Sequence, residues 1–191
     1  MSEKNDRTGD LLEQVAEASK KNALPPVHKW NPPFCGDSDM VIKRDGSWHY
    51  MNSPIGRERM VRLFSTVLRK DDDDYFLVTP VEKVGITVED VPFIAISVER
   101  VEEDGKSALR FMTNVGDSVI ASTDNPLRVE LAPGTEEPAP YILVRKGLEA
   151  RLHRNVFYQL VDMAEIRSMG EREWYGVESG GVFFQIAPVS R

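Results

Sequence analysis

The sequence predicts an α+β protein built from two structurally similar strand-strand-helix-strand halves. Three observations predict it. Turn pairs such as Asp45-Gly46, Asp104-Gly105 and Gly180-Gly181 cut most of the chain into short runs rich in branched and aromatic residues, as in hairpins. Two amphipathic stretches with helical spacing interrupt those runs. Sliding the chain by 92 positions lays Arg59 on Arg151, Arg62 on Arg154 and Leu68 on Leu160, along with the strand ahead of each helix. Three identities weigh less than the shared order of elements, and convergence of two ordinary strand and helix segments is the competing explanation. The organisation that follows is an N-terminal helix and the start of a linker over 1–23, a first repeat over 24–95 and a second, β-rich repeat over 96–191.

The elements fall out in order. Asp10 and Glu13 have capping-box spacing, and Leu11, Leu12, Val15 and Ala16 recur at helical intervals, which predicts a short helix to Lys21. Pro25, Pro26, Pro32 and Pro33 then lack backbone donors, so residues 22–33 read as a stiff linker. Residues 40–44 and 47–52 flank Asp45-Gly46 as a hairpin. Ser53-Pro54 offers an N-cap hydroxyl and a first-turn proline, and Ile55, Met60, Leu63, Phe64, Val67 and Leu68 follow, which predicts a helix to about Arg69. Residues 71–74 form an acidic turn without the alternating ligands, central glycine and distal Glu of a calcium loop. Strands are expected at 75–79, 81–88, 93–101, 107–113, 118–121, 127–131 and 141–144. A second helix is expected over 148–164, and a last hairpin at 174–178 and 182–186.

Composition bounds the function. With 41% apolar and 29% charged residues the chain has enough apolar surface to fold nearly throughout. A net charge of −7 argues against a phosphate backbone, so no nucleic acid partner is expected. The single cysteine, Cys35, has no partner for an internal disulfide, the first residues lack a signal peptide's apolar centre, and no run reaches about 18 apolar residues. A cytoplasmic protein without a membrane span is the expectation.

Candidate chemistry is sparse. His28, His49 and His153 are scattered without metal-ligand spacing, no Gly-rich phosphate loop or GxSxG is present, and no cofactor or metal is expected. On a helix starting near Ser53, Arg57 lies 60° from Met60, inside the core-facing arc. Such a guanidinium near a helix N-terminus suits a carboxylate or phosphate, or else it pairs with Glu82 or Glu89. Arg59, Arg62, Arg151 and Arg154, spaced by three, with Arg145 and Lys146 ahead of the second helix, form either solvated flanks or an anion-binding lining. Lys83 is either a buried cation or one half of a cross-strand ion pair. Trp48 and Tyr158 offer flat faces for a ring, or pack in the core. Asp37, Asp39 and Glu82 are the carboxylates available to a hydrolase. Duplicated units commonly bind at their shared face, so the groove between the halves is the expected site.

The stretches PFCGD, DG-W, SPI-R, LVTPVEK and VEDVPF between Pro33 and Phe93 resemble the bacterial domain of unknown function family twelve eighty-five, with GLEARLHRNVFYQLV carrying a weaker likeness in the second half. The resemblance runs from about Trp30 to the end. It implies a duplicated α+β core, a second half superficially like a pleckstrin-homology fold, and a ligand site formed by Ser53 and Arg57, Thr79, Glu82 and Lys83, and Arg154 and Tyr158. The expected function is a cytoplasmic binding or sensing module for an anionic, nucleotide-like small molecule with a role in signalling. The alternatives are a protein-interaction scaffold and a hydrolase using Asp37, Asp39 or Glu82.

Overall fold

The computed structural model describes residues 24–189, so the helix expected between Asp10 and Lys21 lies outside the described residues. The chain divides into two compact units after Pro92. Residues 93–95, assigned above to the first repeat, therefore open the first strand of the second.

In the first unit a 3-10 turn (Val27–Lys29) precedes β1 (Phe34–Ile42), β2 (Trp48–Tyr50), β3 (Ser53–Pro54), α1 (Glu58–Thr66), β4 (Leu68–Asp71), β5 (Asp74–Val78) and β6 (Lys83–Val88). They form one six-stranded sheet in the order β3-β2-β1-β6-β5-β4. The central pair, β1 and β6, is parallel, while every other neighbouring pair is antiparallel.

The register sorts side chains onto two faces, because residues directly opposite one another project to the same side. Trp48, Ile42 and Val88 form one row, and Leu68, Leu77 and Val84 another on the same face. Here α1 packs: the Phe64 ring stacks on Trp48 with centroids 6.3 Å apart and planes 11° from parallel. Trp48, Phe64, Ile42 and Leu77 are all at most 2% exposed, so this face holds the unit's apolar core.

The helix is shorter than expected at both ends. Ser53–Pro54 pairs with β2, Ser53 opposite Tyr50 and Pro54 opposite His49, so the proline takes an edge-strand position and the helix starts only at Glu58. At the other end Leu68 and Arg69 leave the helix for the β4–β5 hairpin, where Asp72 (φ 53°) makes the turn.

The second unit contains β7 (Phe93–Glu103), β8 (Lys106–Thr113), β9 (Ser118–Ile120), β10 (Leu127–Leu131), β11 (Pro138–Arg145), β12 (Leu148–Leu152), α2 (Arg154–Asp162), β13 (Glu165–Met169), β14 (Arg172–Ser179) and β15 (Val182–Pro188). One sheet runs β10-β11-β12-β7-β8-β9 with β12 and β7 parallel; the other is the meander β13-β14-β15. Asp104 and Gly105 both have positive φ, 50° and 73°, as a two-residue hairpin turn between β7 and β8 requires. Ser179 ties the sheets together: its hydroxyl accepts from Leu109 N at 2.8 Å and donates to Ala121 O at 2.7 Å, and Gly180 N donates to Ser107 O.

Both units share a plan: a hairpin, then a helix, then a three-stranded meander. In the first the meander joins the hairpin's sheet; in the second it forms a sheet of its own. The helices align Glu58 with Arg154 and Thr66 with Asp162, four residues beyond the shift read from sequence. That alignment brings buried Phe64 onto buried Leu160. The Arg-x-x-Arg equivalence therefore dissolves, because residues 148–152, expected to open the second helix, are strand β12, hydrogen-bonded to β7 with Arg151 opposite Ile94.

Candidate functional site

On the first unit's other face, away from α1, the register brings together Phe34 with Lys83, Asp37 with Gly85, and Gly85 with Phe76 and Arg69. These residues border a cleft of about 380 Å³ lined by Phe34, Asp37, Asp74, Tyr75, Phe76, Lys83, Gly85 and Ile86. Gly85 leaves the space at its floor that the Asp37 carboxylate occupies against the bare strand; a Cβ there would push that carboxylate aside.

A charge network borders the cleft. Lys83 Nζ and Arg69 Nη2 both donate to Asp71 Oδ2, each at 2.7 Å, and Lys83 Nζ also sits 3.8 Å from the centre of the Phe76 ring. Arg69 Nη1 donates to the carbonyl oxygens of Val27 and Trp30, so the segment expected to be a stiff linker is fastened to the sheet. Phe34 meets Phe76 edge to face, centroids 6.1 Å apart, and is 57% exposed.

Partial burial of Asp71 works against its charge, but the hydrogen bonds from Arg69 and Lys83 outweigh that and hold its carboxyl below the usual 3.8. A carboxyl depressed in the folded state adds stability that is full above the unfolded pKa and fades as pH falls through the folded value. We expect Asp71→Asn to cost about 1 kcal/mol at pH 7, discounted for partial exposure. The gap to the parent in urea unfolding should shrink as pH falls below 3.8 and close only once pH is below the depressed folded value, where both carry a neutral side chain. A gap of equal size at pH 7 and pH 3 would contradict this assignment.

The residues singled out in sequence divide sharply. Lys83 lines the cleft; of the three hydrolase carboxylates only Asp37 does. Trp48 is in the core at 1% exposure. Thr79 is fully buried, where its Oγ1 accepts from Glu82 N at 3.1 Å and shapes the β5–β6 turn. Ser53 is exposed on β3, and Glu82 is half-buried at that same turn. Arg57 is exposed and stands before the helix as its N-cap (φ −92°, ψ 100°), so the inward angle calculated for a helical residue does not apply. Arg59 and Arg62 are exposed as well.

In the second unit Arg154 Nε donates to the Tyr158 hydroxyl at 2.8 Å on the exposed side of α2, a contact within one helix turn. Arg145 lies 3.5 Å from Asp117 and 5.3 Å from the Phe93 ring centre, both charges largely covered. Burial dominates there: it pushes the Asp117 carboxyl above its ordinary value and lowers Arg145, with their mutual attraction compensating only in part.

Phe34, Phe76, Asp71 and Asp74 belong to the site without having been singled out for it. Strand alternation would have placed Arg69 and Asp71 on one side had 68–71 been recognised as a strand rather than a helix end and an acidic turn. Among the described residues no three His, Cys, Asp or Glu side chains are grouped to hold a metal, and no helix is long and apolar enough to cross a membrane.

Comparison with known proteins agrees with the two-unit division. Residues 25–91 match the N-terminal domain model, and residues 92–186 the C-terminal domain model, of a family of unknown function, DUF1285. A crystal structure of a DUF1285 family protein from Silicibacter pomeroyi DSS-3 is 49% identical, with a TM-score of 0.84, covering 94% of this chain and 95% of that one. A second, from Shewanella baltica OS155, is 26% identical with a TM-score of 0.49, covering 65% and 91%. No curated protein matches the sequence.

Proposed function

The chain belongs to the DUF1285 family, and from that premise we propose that it is a small-molecule binding module that recognises its ligand in the cleft of the first unit. A family description without an activity carries no ligand, so the site has to supply the reading. One observation carries it: a cleft lined by the Lys83 ammonium, two carboxylates and the Phe34 and Phe76 rings, with Lys83 already fixed by the Phe76 ring and by Asp71, which Arg69 holds from the other side. Ligand sites are typically concave, with a few polar groups held in place before binding, and preorganisation removes ordering costs from the binding step. Binding without chemistry makes such a module a sensor, and we place it in the cytoplasm, where the exposed thiol of Cys35 stays reduced.

The anionic, nucleotide-like ligand expected from the arginine spacing is one arm of the test. In this cleft it would have to draw Lys83 away from Asp71. Differential scanning fluorimetry against a panel of nucleotides, amines and amino acids should find a compound that raises the melting temperature. At a concentration a hundred times its Kd it adds about 2.7 kcal/mol to the stability of the folded state. The same compound should have no effect on Gly85→Val, whose side chain occupies the cleft floor and displaces Asp37. If every stabilising compound acts equally on Gly85→Val, the binding surface lies elsewhere.

A further inference from the structure

Taking the cleft as the binding site, we propose that its ligand is an organic cation: an ammonium or guanidinium group on a short apolar stem. The argument begins with which charges are already matched. Lys83 and Arg69 both spend hydrogen bonds on Asp71, and Arg69 spends its other amino group on two backbone carbonyls. The cations at the cleft therefore have anionic or carbonyl partners built in. The acids differ. Asp37 and Asp74 line the cleft, are exposed, and have neither an ion pair nor a side-chain hydrogen bond among the described residues. Lys83 and Arg69 share one carboxylate, yet with Asp37 and Asp74 the acids at the cleft still outnumber the cations, and the surplus charge is negative.

The cleft also contains a pattern for what it would hold. Lys83 Nζ sits 3.8 Å above the Phe76 ring with a carboxylate 2.7 Å away, which is how an ammonium is held between a ring face and an acid. Phe34 and Asp37 offer the same two components a short distance along the sheet, with the Phe34 ring 57% exposed and the Asp37 carboxylate seated in the space left by Gly85. A ligand cation would repeat the arrangement with this second ring and second acid, its stem lying against the Phe34 ring. A hard divalent ion suits the cleft poorly, since it requires about six oxygen ligands and Asp37 and Asp74 are the only carboxylates among the lining residues.

Isothermal titration calorimetry on the full chain at low ionic strength separates the outcomes, with agmatine, 1,4-diaminobutane and AMP as probes. Agmatine or the diamine should bind and AMP should not. Asp37→Asn, which keeps the side chain's shape and removes its charge, should weaken that binding about tenfold, as loss of a charge-assisted hydrogen bond does. Phe34→Leu should weaken it about threefold, and raising the salt concentration should weaken it further. Both positions are exposed, so neither variant is expected to unfold the protein. If AMP binds instead, and loses affinity on Lys83→Met, the cleft is a ligand site but the cation assignment is overturned. If amine binding is unchanged by Asp37→Asn and Phe34→Leu, or if none of the probes binds, the proposal fails.

Discussion

Trp48→Ala lowers the stability of the first unit by about 3–5 kcal/mol. The indole is 1% exposed and stacked on Phe64, so its removal takes away the transfer free energy of the side chain and leaves a cavity against a rigid helix face. Trp48→Phe separates two contributions. It keeps a ring in the stack and deletes the indole N–H, a buried donor with no hydrogen-bond partner among the described residues. An unpaired buried donor is itself a cost of about 1–3 kcal/mol, so this variant should lose far less than the alanine one. Equilibrium urea unfolding of both variants measures the difference, and equal losses would mean that the indole nitrogen is satisfied in solution.

Gly176→Ala is the corresponding expectation for the second unit. Gly176 lies on β14 beside a register shift against β15, and an added Cβ would overlap the carbonyl oxygen of Phe184 and come within 2.5 Å of the Phe183 ring. The ring can rotate; the carbonyl belongs to the neighbouring strand and moves only if β15 moves. About 3 kcal/mol is expected, at the upper end of overpacking costs. Gly85→Ala is the informative contrast. There the added methyl meets the exposed end of the Asp37 side chain, which can swing into solvent, so stability should barely change. Urea unfolding of the two variants side by side decides the matter: similar losses would show that Asp37 is held as firmly as a backbone carbonyl.

How much of this was legible from sequence depended on whether the signal was local. Asp104-Gly105 and Gly180-Gly181 announced their hairpins because a two-residue turn is set by its own residues. Residues 148–152 were misassigned to a helix because their alternation, Leu148, Ala150 and Leu152 buried, is short and runs directly into the helical pattern of α2. What makes them a strand is pairing with β7, more than fifty residues earlier in the chain. Ser53-Pro54 carries a sound helix-start signal that pairing with β2 overrides. The same holds for the site. Lys83 stood out as a charge among apolar strand residues, but its partner Asp71 was hidden at the head of an acidic run, and Phe34 lay between the linker and the first expected strand, where no element was assigned. Arg57 stood out only because the helix was started too early.

The parallel pairing of β1 with β6 has a consequence for how the first unit comes into being. These strands are the middle of the sheet, yet they are the first and last strands of the unit in chain order. Closing the long loop between them costs chain entropy before any of their contacts forms. A nascent chain emerging from the ribosome can build the β4–β5 hairpin early, whereas β1 must wait for residues 83–88 to be synthesised. Its apolar positions Met40 and Ile42 stay uncovered on that side until then. A truncation ending before Lys83 leaves a sheet split down its centre, and it should be insoluble rather than merely less stable.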